Sequence, residues 1–233
     1  MASVLIGMRR SGKTFRLYQE IQALRTSGIP LNRILYVNFE DDRLYPIEQG
    51  LMNKLLEAFY RLAPEARSSK AYLFLDEVQS VEGWARFARR ILDTENVKLF
   101  VTGSSAKLLS SEVATEFRGR GCSTELLPLS FREFLVFRDM TPLESVPGAR
   151  VRSTLEAALV EYLEIGGFPA VQTLDSNRCV QVLQDYVELV LLRDIIERHG
   201  ISNAYAVRSF ALTLLQHAGG RMSVHKTHND LRS

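Results

Sequence analysis

Short apolar runs alternate along this chain with longer stretches that repeat an apolar residue every three or four positions. The runs are Ser3–Ile6, Ile34–Phe39, Tyr72–Glu77, Val97–Thr102 and Ser123–Leu127. Each has the length and continuity of a buried strand. Between them Leu17, Tyr18, Ile21 and Leu24 fall at helical spacing, as do Leu51, Leu55, Phe59 and Leu62. The stretch Ser80–Glu95 turns Val81, Trp84, Ala88 and Ile91 to one side and Arg86, Arg89 and Arg90 to the other. Those arginines read either as a solvated face or as a partner surface, and Trp84 as core. Strands alternating with helices predict a five-strand α/β core over residues 1–140.

Beyond a Pro- and Gly-containing boundary at 141–149 the strand signals stop. Helices are predicted over Ser153–Ile165, Asn177–Arg198 and Asn203–His217, broken by Gly166-Gly167-Phe168-Pro169. Residues 150–220 therefore read as a helical lid-type subdomain. Residues 221–233 open a further amphipathic element, so the chain reads as a truncated fragment.

Composition narrows this picture little. A chain of 233 residues with 46% hydrophobic content can bury a sizeable core. A net charge of +2 gives no global basic field for nucleic acid. Cys122 and Cys179 lack metal spacing and read as small buried hydrophobes in a reducing compartment. No apolar run approaches a membrane span, and a phosphate-loop motif beginning at Gly7 leaves no room for a signal peptide, so the reading is cytoplasmic. His225 and His228 stand three apart with no acidic or Cys partner near them, which makes a metal pair a poor reading.

The chemistry is concentrated at the start. Gly7-Met8-Arg9-Arg10-Ser11-Gly12-Lys13-Thr14 matches G-x-x-x-x-G-K-[ST], between a predicted strand and a predicted helix. A polyphosphate needs many donors aimed inward from a tight turn. The glycines let the backbone bend and approach closely, the loop amides form an anion concavity, and the helix adds its positive end. Lys13 is placed for the β- and γ-phosphates and Thr14 for Mg2+. The strand ending in Asp76-Glu77 is the second motif. Asp76 at a carboxyl end faces the loop and holds Mg2+ with Thr14, and Glu77 is the candidate general base. The pair favours ATP, since no guanine-reading motif is found.

Three further stretches carry candidate residues. Ser104, and after it Thr102, stand at a strand end where a hydroxyl senses the γ-phosphate or orients water; a helix cap for Ala106–Ser110 explains Ser104 as well. Arg118 and Arg120 lie between glycines in Phe117–Gly121. They read as transition-state cations in this or a neighbouring subunit, as contacts to nucleic-acid phosphates, or as a surface turn. Ser130 and Glu133 have the spacing of a capping box, which accounts for both.

The segments Leu73–Gln79, Thr102–Lys107, Phe117–Gly121, Leu127–Phe134 and Gly166–Pro169, following Gly7–Thr14, together resemble the prokaryotic AAA-type ATPases related to the STAND NTPases, which carry an appended C-terminal domain of unknown function. The resemblance implies a P-loop core with a parallel five-strand sheet in the order 5-1-4-3-2, then a helical bundle and a winged-helix-like domain. It implies an ATP/ADP-binding, Mg2+-dependent ATPase acting as a switch. Met8 stands where relatives often have Pro. The competing expectation is a DNA-interacting regulatory module in which ATP is structural, with DNA reached through a missing C-terminal part. A homo-oligomer is compatible with either.

Overall fold

The computed structural model describes residues 1–104, 117, 119–140, 148–197, 199–220, 223, 225 and 229, with Ser104 described for its backbone alone. The predicted Ala106–Ser110 helix, Arg118 and most of 221–233 lie outside the described residues.

Five strands form one parallel sheet: β1 (Ala2–Gly7), β2 (Ile34–Asn38), β3 (Ala71–Asp76), β4 (Val97–Ser104) and β5 (Gly121–Glu125), in the order β2-β3-β4-β1-β5. Read from the other edge, this is the expected 5-1-4-3-2. The continuous apolar runs of the central strands have a physical cause: β1, β3 and β4 are covered on both faces. Leu73 and Leu75 share one core with Val4, Ile6, Leu99 and Val101, covered by Met52, Leu56, Phe59, Trp84 and Ile91. The alternate residue Phe74 packs with Phe100 and Leu17 on the other side. Its ring stacks on Phe100 at 4.4 Å.

Helix α1 (Lys13–Thr26) follows the phosphate-loop motif, and α2 (Leu51–Leu62), the short α3 (Glu65–Ser68) and α4 (Trp84–Thr94) complete the connections. The buried stripe of α2 is Met52, Leu56, Phe59 and Tyr60, one position off the expected register, and Leu62 is 84% exposed. Helix α4 begins at Trp84 instead of Ser80, because Gly83 sits in the left-handed region with φ 75 and Val78–Ser80 forms a separate 3-10 turn. Strand β5 starts two residues earlier than expected and is an edge strand, which leaves Cys122 exposed instead of buried.

The chain divides into two compact units, Met1–Pro169 and Ala170–Ser233. The division falls inside the 150–220 segment that the sequence groups as one helical part. In the first unit, α5 (Phe131–Phe137) has the expected capping box: the Glu133 amide donates to Ser130 Oγ at 3.3 Å, and the Ser130 amide donates to Glu133 Oε2 at 2.8 Å. Phe134, Leu135, Phe131 and Met140 pack with Ala158, Leu155, Tyr162 and Ile165 of α6 (Ala149–Ile165). Of the α6 residues expected to face inward, Leu159 and Leu163 are exposed. The Leu129 amide donates to Gly167 O at 2.6 Å and Tyr162 OH donates to Leu129 O at 2.8 Å. These bonds tie two of the sequence motifs together.

In the second unit, Asp175 caps α7 (Ser176–Leu189), and Asn203 caps α8 (Ala204–Gln216). The single helix expected over Asn177–Arg198 changes type on the way, from α to a π-helix at Val190–Glu197. Leu191 and Cys179 are buried, whereas Val180, expected on the inward stripe, is 55% exposed.

Candidate nucleotide site

Strand β1 ends at Gly7 and α1 begins at Lys13, so the motif spans a turn between two fixed elements. A Cβ on Gly7 would stand 2.3 Å from Leu126 O, so only glycine fits there. Arg10 (φ 67) and Gly12 (φ 98) are both left-handed. Such turns direct successive amides toward one concave side. Ser11 is buried, and its Oγ has no partner among the described residues. An orphaned buried hydroxyl in this turn suits a polar ligand.

Lys13 is 4% exposed. Its Nζ donates to Gly7 O at 3.1 Å and Met8 O at 3.0 Å and lies 3.4 Å from Glu77 Oε1. The loop's own carbonyls and one carboxylate therefore use the three donors of the ammonium group. Arg9 reaches sideways to Glu40, just beyond β2, in a 2.7 Å ion pair, and Met8 is 45% exposed.

Asp76 is the last residue of β3 and is fully buried. Three hydroxyls hold its carboxylate. Thr14 Oγ1 donates to Oδ2 at 2.7 Å, Tyr36 OH donates to Oδ2 at 3.0 Å, and Thr102 Oγ1 donates to Oδ1. Burial above all, with the nearby Asp76 charge and the hydrogen bond donated to it, pushes the Tyr36 phenol well above its ordinary pKa. It therefore stays a donor throughout the ordinary pH range. Glu77 follows in a left-handed conformation, φ 54, which is uncommon for a residue with a side chain. Its amide donates to Thr102 Oγ1 at 3.0 Å, and Gln79 Nε2 donates to Glu77 Oε2 at 2.5 Å.

The loop residues Gly7–Thr14, Asp76 and Glu77 are thus brought together at the carboxyl ends of β1, β3 and β4. Ser104 aligns with Gly7 across the β1–β4 pair. Thr102 is one step inside, with its hydroxyl committed to Asp76 and the Glu77 amide.

Arg120 is not in this cluster. Its carbonyl accepts from the Ala2 amide, and its guanidinium pairs with Asp93 of α4. That is the amino end of β1, roughly 16 Å of strand from Gly7. Within its own chain Arg120 stands at the wrong end of the sheet for the role considered above, and only a neighbouring subunit's site is compatible with it. Sequence reasoning missed Tyr36 and Gln79, because a tyrosine within an apolar run and a polar residue after an acidic pair carry no motif.

The donor set fits Mg2+. A threonine hydroxyl and a carboxylate are hard oxygen ligands, and magnesium bound beside phosphates takes few ligands from protein. Among the described residues no group of three or more His, Cys, Asp or Glu is gathered, and no helix is long and apolar enough to cross a membrane.

A profile of the AAA domain family matches residues 1–135, and one of a domain of unknown function (DUF8612) matches residues 156–233. The chain is 37% identical over 235 residues to the uncharacterized protein MJ1544 of Methanocaldococcus jannaschii, covering 98% of this chain and 49% of that one. It is 31% identical to an uncharacterized protein of Haemophilus influenzae, covering 99% and 55%. The chain thus spans about half the length of the curated relatives it matches. Among solved structures it is similar to C. elegans PCH-2 (15% identity, TM-score 0.47, covering 82% of this chain and 61% of that one). A second is AMPPCP-bound DnaA from Aquifex aeolicus (15%, TM-score 0.45, covering 99% and 69%).

Proposed function

The chain belongs to the AAA domain family, and from that premise we propose that it is a Mg2+-dependent ATP hydrolase that works as a nucleotide-driven switch. The observation that carries this reading is the convergence of two carboxylates on the phosphate loop. Asp76 meets Thr14 at 2.7 Å, and Glu77 meets Lys13 at 3.4 Å.

The loop amides and Lys13 hold the phosphates, and Ser11 Oγ is a further donor within the same turn. Thr14 and Asp76 hold Mg2+, which supplies charge neutralisation on the phosphate oxygens. Glu77 accepts a proton from the attacking water. Its backbone is fixed by the Thr102 bond and its carboxylate by Gln79 and Lys13. For Lys13 to reach a phosphate it must exchange at least one of its present partners, Gly7 O, Met8 O or Glu77 Oε1.

The same loop is tied to the helices. The Leu126 amide donates to Ile6 O at 2.7 Å, and the Leu126 carbonyl closes over Gly7. Three residues on, Leu129 is bonded to Gly167 and Tyr162. A change at the turn thereby has a covalent and hydrogen-bonded route to α5 and α6.

The test is a pair of variants. Lys13→Ala is expected to lose nucleotide binding. Glu77→Gln is expected to keep binding and lose steady-state phosphate release. Parent-rate turnover by Glu77→Gln would overturn the mechanism.

A further inference from the structure

The carboxylate of Asp76 is held by more than the proposed metal site requires. Thr14 and Thr102 account for one bond to each oxygen. Tyr36 adds a second bond to Oδ2, the oxygen that already faces Thr14. Tyr36 comes from β2, where Asn38 is aligned with Asp76 in the β2–β3 register, so its phenol reaches the carboxylate from the neighbouring strand. Behind it stands Tyr18, four residues after Thr14 and therefore one turn along the same face of α1. Tyr18 OH donates to Tyr36 OH at 3.2 Å, with the rings 5.3 Å apart. The chain Tyr18–Tyr36–Asp76–Thr14 thus leaves α1, crosses two strands and returns to α1.

Resting on the ATPase reading above, we propose that Tyr36, supported by Tyr18, is a positioning residue that sets the Asp76 carboxylate for the divalent cation it shares with Thr14.

The reasoning is one of donor supply. Thr14 must offer its oxygen to the cation while its hydroxyl still donates to Asp76 Oδ2. A second donor on Oδ2 keeps that oxygen in place when the Thr14 bond lengthens or turns. With Thr102 pinning Oδ1, both carboxylate oxygens are then fixed without the metal's help, and the cation meets a formed ligand pair. Tyr36 has no bond to the phosphate-loop residues 7–13 among the hydrogen bonds of the described residues, so its effect should fall on the cation and not on the phosphates.

The experiment is a Mg2+ titration of binding of a fluorescent N-methylanthraniloyl ADP, together with its affinity in EDTA, on the parent chain, Tyr36→Phe and Tyr18→Phe. Phenylalanine keeps the ring packing and removes one hydroxyl. For Tyr36→Phe the EDTA affinity is expected to stay within about twofold of the parent, while the Mg2+ concentration at half-effect rises about tenfold, the size of one hydrogen bond to a charged group. Tyr18→Phe is expected to move it about two- to threefold in the same direction, as a neutral hydrogen bond one step removed; it carries the test alone should Tyr36→Phe not fold. An unchanged Mg2+ requirement in variants that bind nucleotide, or equal losses in EDTA and in Mg2+, overturns the positioning role and leaves the ATPase reading standing. A parent chain that binds no nucleotide under either condition overturns both.

Discussion

Replacing Thr102 by valine removes one oxygen and leaves the shape of the side chain almost intact. Thr102 is fully buried, so no water is at hand to take the place of the lost group. The hydroxyl serves two neighbours at once: it donates to Asp76 Oδ1 and accepts from the Glu77 amide. Valine therefore deletes a bond to a charged carboxylate, worth about 1.5–3 kcal/mol, and strands a buried amide at about 1–3 kcal/mol. A central figure of about 4 kcal/mol is a large share of the ~5–15 kcal/mol that holds a domain folded. At roughly 2–4 °C per kcal/mol for a chain of this size, the melting temperature should fall by about 8–16 °C. The assay is thermal unfolding by circular dichroism without nucleotide, with Thr102→Ser as the control that keeps the hydroxyl and recovers most of the loss. Turnover should fall further than stability explains, because the Glu77 backbone loses its anchor. A Thr102→Val protein melting within about 2 °C of the parent would refute the double role of this hydroxyl.

Two other sites give sharp expectations. A Cβ at Gly167 would stand 2.3 Å from Leu129 O, so Gly167→Ala should destabilise by about 1–3 kcal/mol through overpacking. Urea unfolding with an unchanged midpoint would show that the Leu129–Gly167 junction yields freely. Ser130→Ala removes the capping box of α5 and should cost about 1 kcal/mol. The Ser130 side chain first, and then its amide, lower the Glu133 pKa below the ordinary glutamate value. A depressed folded pKa stabilises above the unfolded value and is lost as pH falls through the folded one. The gap between parent and Ser130→Ala melting temperatures should therefore narrow between pH 7 and about pH 3. An equal gap at both ends would mean that the bond between the Ser130 hydroxyl and the Glu133 carboxylate contributes nothing.

What could be read in advance follows from how local each cause is. The Gly7–Thr14 turn was legible because its backbone demands glycine at fixed spacing, and Gly7 and Gly12 are the residues that meet those demands. The strands were legible because a sheet covered on both faces needs apolar residues at successive positions, as in Leu73, Phe74 and Leu75. Helix faces were less so. Leu51 and Met52 are equally apolar, and only the placement of α2 over the sheet decides that Met52 goes in. The start of α4 depends on the backbone of Gly83, and a glycine before a helix does not announce its φ. The change from α to π at Val190 adds no residue type that periodicity detects. For Arg120 the decisive fact is its place just before β5: in a parallel sheet the residues that precede a strand lie at the amino edge, opposite the loop that follows β1, so the same-chain role could have been set aside from the expected topology.

The left-handed turn at Glu77 links fold and chemistry most directly. Successive side chains of a strand point to opposite faces. Were β3 to continue straight, Asp76 and Glu77 would diverge, and only one carboxylate would face the loop. At φ 54 the chain turns after Asp76 instead, and Glu77 comes within 3.4 Å of Lys13 while Asp76 remains 2.7 Å from Thr14. A conformation this sparsely populated costs of order 1–3 kcal/mol and persists only where its surroundings over-determine it. Here the surroundings are three named contacts: the Thr102 hydroxyl on the amide, and Gln79 and Lys13 on the carboxylate. Two of these partners, Thr102 and Lys13, also belong to the network around Asp76 and the loop. The strain and the groups that hold it are therefore concentrated where the proposed reaction requires two carboxylates to meet one phosphate, and the Asp-Glu pair works as a pair only because the strand stops between them.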